Sequence, residues 1–271
     1  MVPGTMSDVQ DLLPCDEERA AAALESRIAL ATTTGPEPYS MLEWATVERA
    51  RIADGTEFVL GRHGNGWVIR VGARVLMSNR MHASEEALAD LALARVDNPR
   101  AVLVGGLGLG YTARAVLDAV SQTAEVTVLE LIPDLVDWHR RHLGGLAGHP
   151  LDDPRCRVVV GDVFDTLRRS PATFDVILLD VDNGPQGLTQ PRNQRLYGEA
   201  GVRTCLAALR PGGMLAVWSL GPNARYERRL RRQSDEVEMA IAAARNGSDV
   251  SHVVFLVRAP KGPSPARPAA R

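Results

Sequence analysis

Four acidic residues and one glycine-rich turn are the features of this sequence best suited to chemistry. The turn, Gly105-Gly106-Leu107-Gly108-Leu109-Gly110, ends an apolar run, and Glu130 ends the next apolar run twenty residues later. Glycines let the backbone approach a ligand closely, and a carboxylate at the next strand end can accept hydrogen bonds from two ribose hydroxyls. The pattern therefore predicts a site for a nucleoside-type cofactor.

The glycine spacing selects among such cofactors. Gly106, Gly108 and Gly110 form G-x-G-x-G, whereas the dinucleotide fingerprint G-x-G-x-x-G needs a glycine where Tyr111 stands. We therefore expect S-adenosylmethionine or a relative, which has no pyrophosphate to bind at a helix N-terminus. The predicted cofactor-binding residues are Gly105, Gly106, Leu107, Gly108, Gly110, Glu130, Leu131, Asp162 and Val163.

Asp162 and Val163 follow the third apolar run of this part of the chain. The Asp162 carboxylate could accept a hydrogen bond from an adenine amine, and the Val163 backbone N–H could donate one to a ring nitrogen. Asp162 is also well placed to cap the helix predicted over 163–169, and the two roles can coexist.

Asp180 and Asp182 follow the fourth apolar run, Phe174 to Leu179. A carboxylate there could take a proton from an amine or hold a cationic substrate beside a sulfonium. Both residues are therefore predicted to be catalytic. For Asp182 the alternative is an Asx turn with Asn183.

Several histidines and acids are weaker candidates. His82 and Glu85 lie at the start of a helix predicted from Ser84 to Ala94, where they could line a substrate pocket or simply occupy an exposed helix face. His139 and His142 have a spacing that can bind metal, but no further ligands follow, so the sequence predicts a solvated helix face and no metal site.

Composition excludes several classes of protein. The chain has 271 residues, 45% of them hydrophobic, and a net charge of −2, whereas nucleic-acid-binding proteins usually carry a basic excess. Three widely spaced cysteines indicate reduced thiols. No apolar stretch is long enough to cross a membrane, and the acidic N-terminus is unlike a secretory signal. We expect a cytoplasmic protein with a small-molecule substrate and neither nucleic-acid nor membrane partners.

The order of the apolar runs predicts an α/β protein of four parts. Residues 1–40 form a helix and linker, 41–80 a small antiparallel β-domain, 81–260 a Rossmann-like domain and 261–271 a disordered tail. In the Rossmann-like domain, strands predicted at 101–106, 125–131, 157–161, 174–181 and 214–219 alternate with helices. If the strand order is 3-2-1-4-5, the glycine turn and the acidic residues converge on one cleft.

These motifs, together with Leu196-Tyr197 and the turn 210–213, resemble the spermidine synthase (polyamine aminopropyltransferase) family over about residues 44–258. The resemblance implies a class I methyltransferase fold with a mostly parallel seven-stranded sheet, a small N-terminal β-domain and a homodimer. It also implies that Glu130 binds ribose, Asp162 binds adenine, Asp180 helps to deprotonate the attacking amine and Tyr197 lines a polyamine channel.

The chain departs from that family at three places. The family's glycine motif carries an aspartate that holds the amine of decarboxylated S-adenosylmethionine, and Gly108 stands there. The acceptor loop from Asp180 to Pro185 is one residue longer, and the Tyr-His/Gln-Glu element reads Ser84-Glu85-Glu86. An ammonium buried in this site would need another partner, because an unpaired buried charge is costly.

Three functions are compatible with this sequence. The first is aminopropyl transfer from decarboxylated S-adenosylmethionine to an amine, with methylthioadenosine as product and with His82, Glu85 and Glu86 binding a cationic acceptor. The second, favoured by Gly108, is methyl or aminocarboxypropyl transfer from intact S-adenosylmethionine, which for methyl transfer leaves S-adenosylhomocysteine. The third is a non-catalytic nucleoside-binding dimer.

Overall fold

Short runs rich in β-branched and aromatic residues form the first sheet. The structure, a computed structural model, describes residues 44–52, 55–181, 184–185, 193–244 and 251–261. Four antiparallel strands pair in chain order. They are Ala45–Arg51 (β1), Glu57–His63 (β2), Gly66–Val71 (β3) and Arg74–Ser78 (β4). The predicted small antiparallel β-domain is therefore confirmed.

The second sheet contains seven strands within the described ranges, and five of them are parallel. The strands are Ala101–Gly105 (β5), Glu125–Glu130 (β6), Cys156–Val160 (β7), Phe174–Leu179 (β8), Leu209–Ser219 (β9), Val237–Ala243 (β10) and Ser251–Arg258 (β11). Their order is β7-β6-β5-β8-β9-β11-β10. The first five therefore run 3-2-1-4-5, and the order reverses between β5 and β8, where such sheets bind ligands.

Helices cover both faces of this sheet because its central strands are apolar on both sides. They are Ala83–Leu93 (α1), Tyr111–Ala119 (α2), Pro133–Trp138 (α3), Val163–Arg168 (α4), Gln194–Tyr197 (α5), Glu199–Ala208 (α6) and Ala224–Arg231 (α7). Leu88 of α1 and Val116 of α2 share one core cluster with Val104. Val202 of α6 and Leu230 of α7 share the other with Leu103.

The small sheet packs against the end of the large sheet where the glycine turn lies. Phe58 and Leu60 of β2 belong to one buried cluster with Leu109 of the turn, and with Ile132 and Trp138 after β6. This third cluster joins the two sheets. It leaves a space between β4 and the carboxyl ends of the parallel strands.

Two predictions about local structure need correction. The turn predicted at 210–213 lies inside β9, where Leu209 pairs with Phe174, Met214 pairs with Val176, and Gly212 has φ +78°. The extra residues form a bulge within a longer strand. The helix predicted over 195–209 is divided into α5 and α6 by the extended residue Gly198.

Other predictions fall on parts of the chain that the structure does not describe. These are the N-terminal helix, Cys15, Asp182 and residues 262–271 of the predicted disordered tail. Cys156 and Cys205 are free thiols, as predicted. Among the described helices, none has the length and apolar character needed to cross a membrane.

Candidate functional site

A cavity of about 460 Å³ lies between β4 and the carboxyl ends of the parallel strands. The strand order places Glu130 at the end of β6 and Asp162 after β7 on one side, and Asp180 after β8 on the other. We call the part lined by Glu130, Leu131, Asp162 and Val163 the Glu130 end. The part lined by Glu85, Thr112, Asp180, Trp218 and His252 is the Asp180 end.

The glycine turn forms the wall between these two ends. A side chain at Gly106 (φ +94°) would place Cβ 2.2 Å from the Asp180 carbonyl oxygen, and one at Gly110 (φ +90°) would place it 2.5 Å from His139 Nε2. Both positions therefore require glycine. Gly108 also has a positive φ, but its nearest neighbour is the flexible side chain of Met77, with Sδ 3.3 Å from a Cβ built there.

Glu130 is buried, and backbone groups orient its carboxylate. Oε2 accepts the Leu107 N–H at 3.1 Å, and Oε1 accepts the Ile132 N–H at 2.9 Å. A carboxylate held in this way can also accept hydrogen bonds from hydroxyl groups. The structure thus links the acid at the end of β6 directly to the glycine turn.

Asp162 caps α4, as one of its two sequence interpretations predicts. Its Oδ1 accepts the Asp165 N–H at 3.2 Å, and its Oδ2 lies 2.6 Å from Nη2 of Arg195. The Arg195 guanidinium also lies over the Phe164 ring, 4.8 Å from the ring centroid. Recognition of adenine by Asp162 remains a prediction, and Arg195 already occupies one of its oxygens.

Asp180 lies at the other end, and among the described residues one hydroxyl group donates to its carboxylate. Thr112 Oγ1 donates to Oδ2 at 2.6 Å. Burial raises the pKa of Asp180 to about 6, partly opposed by the Thr112 hydrogen bond. A carboxylate with such a pKa can accept a proton near neutral pH.

Glu85 of α1 lines the same cavity, so the structure selects the pocket over the exposed helix face. Burial, and to a lesser degree the nearby charge of Asp180, raise the pKa of Glu85 to about 8. Ser84 Oγ lies 2.6 Å from Glu85 Oε2 and 2.9 Å from His252 Nδ1. Glu85 is therefore held through Ser84 to β11.

Three other predicted site residues do not line the cavity. The Tyr197 hydroxyl donates to the Val181 carbonyl at 3.0 Å and its ring packs edge-on against Tyr226, so it supports the segment after β8 from within the core. His82 Nδ1 lies 2.9 Å from Glu86 Oε1, and both side chains are partly exposed. Tyr197, His82 and Glu86 are thus not among the described residues that line this cavity, and their roles toward the acceptor stay predictions.

The prediction that His139 lies on a solvated helix face is wrong. Its side chain is 1% exposed and lies against the glycine turn, and burial lowers its pKa to about 4. His142 Nε2 instead contacts Glu48 Oε1 of β1 at 2.9 Å, between the two sheets. Within the described part of the chain, no group of His, Cys, Asp and Glu side chains is arranged to hold a metal ion.

Sequence reasoning missed Thr112, Trp218 and His252. Thr112 follows the glycine turn on the first turn of α2, and Trp218 lies near the end of β9, so their positions were available signals. His252 carried no such signal, because β11 is antiparallel and begins at this edge of the sheet. Burial lowers the pKa of His252 to about 4, which keeps its imidazole neutral.

Two curated relatives are similar to this chain over part of their length. Polyamine aminopropyltransferase 2 of Pseudomonas aeruginosa is 36% identical over 163 residues, which cover 56% of this chain and 44% of the relative. Polyamine aminopropyltransferase of Aeropyrum pernix is 30% identical over 191 residues, which cover 64% of this chain and 58% of the relative. The chain thus spans about half the length of these relatives.

Solved structures show the same fold. A spermidine synthase in complex with the transition state analogue AdoDATO matches with a TM-score of 0.67 at 19% identity, covering 79% of this chain and 73% of that one. Spermidine synthase from Thermotoga maritima matches with a TM-score of 0.64 at 18% identity, covering 79% and 72%. The predicted Rossmann-like architecture is therefore confirmed.

The family comparison covers the segment that forms most of the cavity. Residues 81–236 match the spermine/spermidine synthase domain, which is more than half of the chain. The chain therefore belongs by its sequence to the spermine/spermidine synthase family, and its fold agrees with this assignment.

Proposed function

We propose that this protein transfers an aminopropyl group from decarboxylated S-adenosylmethionine to an amine acceptor. The relatives named polyamine aminopropyltransferase support this reaction, and so does a cavity lined by carboxylates at both ends. The acceptor would be a small di- or polyamine, which is cationic at neutral pH and suits acidic walls.

The cavity's residues fit this cofactor. At the Glu130 end, the oriented Glu130 carboxylate would accept hydrogen bonds from the two ribose hydroxyls. Val163 would donate its backbone N–H to the adenine ring, and Asp162 would accept from the adenine amine beside Arg195. Because the glycine turn has few side chains, the cofactor could pass close to the main chain.

The observation that carries the proposal is Asp180, a carboxylate inside the cavity with a pKa raised to about 6. The neutral amine would form a bond to the methylene carbon next to the sulfonium. The carbon–sulfur bond would break, methylthioadenosine would leave with the electron pair, and Asp180 would accept the proton lost by the nitrogen. Orientation of the amine and the sulfonium would supply most of the rate.

The charges at the Asp180 end also favour the decarboxylated cofactor over the intact one. The intact cofactor carries an additional carboxylate, which would lie near Glu85 and Asp180. Negative charges that lie close together in a site shielded from water repel each other, which weakens binding of the intact cofactor. Methyl transfer from the intact cofactor would therefore have to overcome this repulsion.

The test is release of methylthioadenosine from decarboxylated S-adenosylmethionine in the presence of putrescine, spermidine or other amines. Amine-dependent release, with tighter calorimetric binding of the decarboxylated cofactor than of S-adenosylmethionine, supports the proposal. Release of S-adenosylhomocysteine from the intact cofactor, or no binding of any of these compounds, would overturn it.

Assembly and location are separate predictions. The family resemblance implies a homodimer, and the absence of a membrane-spanning helix among the described residues agrees with a cytoplasmic location. Light scattering after size exclusion checks the first, since a dimer of this chain would have twice the 29.3 kDa mass of one subunit. A monomer at micromolar concentration would contradict it.

A further inference from the structure

The two carboxylates of the Asp180 end, Glu85 and Asp180, come from distant parts of the chain. Few hydrogen-bond donors among the described residues contact them. Thr112 Oγ1 donates to Asp180 Oδ2 and lies 3.5 Å from the backbone carbonyl of Glu85, so it links the two residues. The Glu85 carboxylate accepts a hydrogen bond from the Ser84 hydroxyl. Among the described residues that line this cavity, Arg74 of β4 is the one arginine or lysine.

The glycine turn contributes no charge to the cavity. Gly108 lines it and has only the Met77 thioether near the position of a Cβ atom. The cavity carboxylate whose pKa is raised in part by the charge of Asp180 is Glu85, and it is delivered by α1. The turn after β5 does not supply it.

A second feature of the Asp180 end is the buried indole of Trp218. Trp218 lines the cavity and is 8% exposed, yet its indole N–H has no hydrogen-bond partner among the described residues. Native proteins rarely leave a buried donor unpaired without a ligand or water to complete the site. The electron-rich face of an indole also attracts cations.

We propose that Glu85 supplies the counter-charge for the primary ammonium group of the aminopropyl donor, a charge that Gly108 cannot supply. This inference rests on the proposed function and assigns its cofactor selectivity to one residue. Ser84 and His252 are positioning residues, because Ser84 contacts the Glu85 carboxylate and His252 contacts Ser84.

The hydrogen-bonded row Glu85–Ser84–His252 suits a carboxyl group that changes its charge. An ionised Glu85 accepts from the Ser84 hydroxyl, which accepts from His252 Nδ1–H. A protonated Glu85 can donate to Ser84, which then donates to the other His252 tautomer. Both states of Glu85 therefore remain hydrogen-bonded, and a bound ammonium shifts it to the ionised state.

A proton should therefore leave the protein when the ammonium binds. The titratable groups around Glu85 are Glu86 on α1, Tyr111 at the start of α2, Asp180 after β8 and His252 on β11. Of these, burial keeps His252 neutral, and the pKa of Tyr111 is raised, so neither ionises near pH 7. With a pKa of about 8, Glu85 is mostly protonated in the empty site at that pH.

The experiment is calorimetric titration at pH 7 in two buffers of different ionisation enthalpy. The ligands are decarboxylated S-adenosylmethionine, S-adenosylmethionine and methylthioadenosine. For the unmodified protein we expect release of about 0.5–1 proton with the decarboxylated cofactor and less than about 0.2 with methylthioadenosine, which lacks the ammonium. Equal proton release with these two ligands would overturn the inference without any variant.

Glu85→Gln should weaken binding of the decarboxylated cofactor by about 10–100-fold and abolish the proton release. Methylthioadenosine affinity should change by less than about threefold. Asp90→Asn, an exposed carboxylate on the same helix, is the matched control and should behave as the unmodified protein. Unchanged preference for the decarboxylated cofactor in Glu85→Gln overturns the inference and leaves the proposed function standing.

A second substitution tests whether the effect of Glu85→Gln comes from the lost charge or from altered packing. Gly108→Asp in the Glu85→Gln background places a carboxylate on the opposite wall, since aspartate tolerates a positive φ and Met77 can move. We expect it to recover at least about threefold in affinity for the decarboxylated cofactor and none for methylthioadenosine. If Glu85→Gln instead raises only the KM for the amine acceptor, the residue serves the acceptor and the assignment to the donor is wrong.

Discussion

At the Glu130 end of the cavity, two backbone N–H groups hold both oxygens of Glu130, and a backbone N–H and Arg195 hold those of Asp162. At the Asp180 end, the carboxylates of Glu85 and Asp180 have hydroxyl donors and each other's charge. The carboxylates of the Glu130 end are stabilised by hydrogen bonds before a ligand binds. Those of the Asp180 end are destabilised in their ionised form by desolvation until a cation binds. We infer that the first end serves binding and the second serves chemistry and selectivity.

Removing the charge of Asp180 should give the largest effect. Asp180→Asn should lower turnover by at least about 100-fold, because the amine loses its proton acceptor, while nucleoside affinity stays within about threefold. Methylthioadenosine release and calorimetric binding are the measurements. The control is Asp118→Asn, which changes an exposed carboxylate on α2. A parallel loss of nucleoside binding would mean that Asp180 belongs to the Glu130 end.

Glu130→Ala should act mainly on binding. It removes the acceptor for the proposed ribose contacts and leaves the Leu107 and Ile132 N–H groups without this partner. Methylthioadenosine affinity should fall by about 1–3 kcal/mol, with much of the turnover recovered at saturating cofactor. Glu125→Ala, at the exposed start of the same strand, should have no effect on affinity. An affinity unchanged by Glu130→Ala would contradict the ribose prediction.

The strain at the Asp180 end should also appear as pH-dependent stability of the empty protein. The pKa of Glu85 is raised from 4.5 to about 8, so ionisation is harder in the folded state. Its contribution to the free energy of unfolding is therefore full below about pH 4.5 and is lost as the pH rises to about 8.

Glu85→Gln should consequently raise the melting temperature at pH 8 by at least about 2–4 °C, equivalent to about 1 kcal/mol, and by much less at pH 4.5. Thermal unfolding at the two pH values measures this difference, with Asp90→Asn as the control. A lower melting temperature for Glu85→Gln at pH 8 would show that Glu85 is stabilising in the empty site.

The smallest effect is expected at Arg195. Its guanidinium pairs with Asp162 and Asp165 and is partly exposed, so each pair contributes little. Arg195→Gln should release one Asp162 oxygen and tighten methylthioadenosine binding by no more than about fivefold at low salt, with the gain lost at high salt. Weaker binding in this variant would indicate that Arg195 itself contacts the nucleoside.

The sequence by itself determined the architecture and the positions of the strand-end residues. Apolar runs, the G-x-G-x-G turn and an acid after each of the next strands are local patterns, and the 3-2-1-4-5 order converts them into one cleft. Gly106 and Glu130 could be predicted because their requirements, a close backbone approach and an acceptor at a strand end, are met by short segments.

Only the tertiary structure decided which acids share an environment. Glu85 reaches Asp180 because α1 packs on the sheet near β9 and β11, and Ser84 joins His252 across the same contact. Tyr197 turned inward and His139 became buried for the same kind of reason, since elements far apart in the chain cover them. Burial and charge coupling depend on such packing, and no local spacing encodes them.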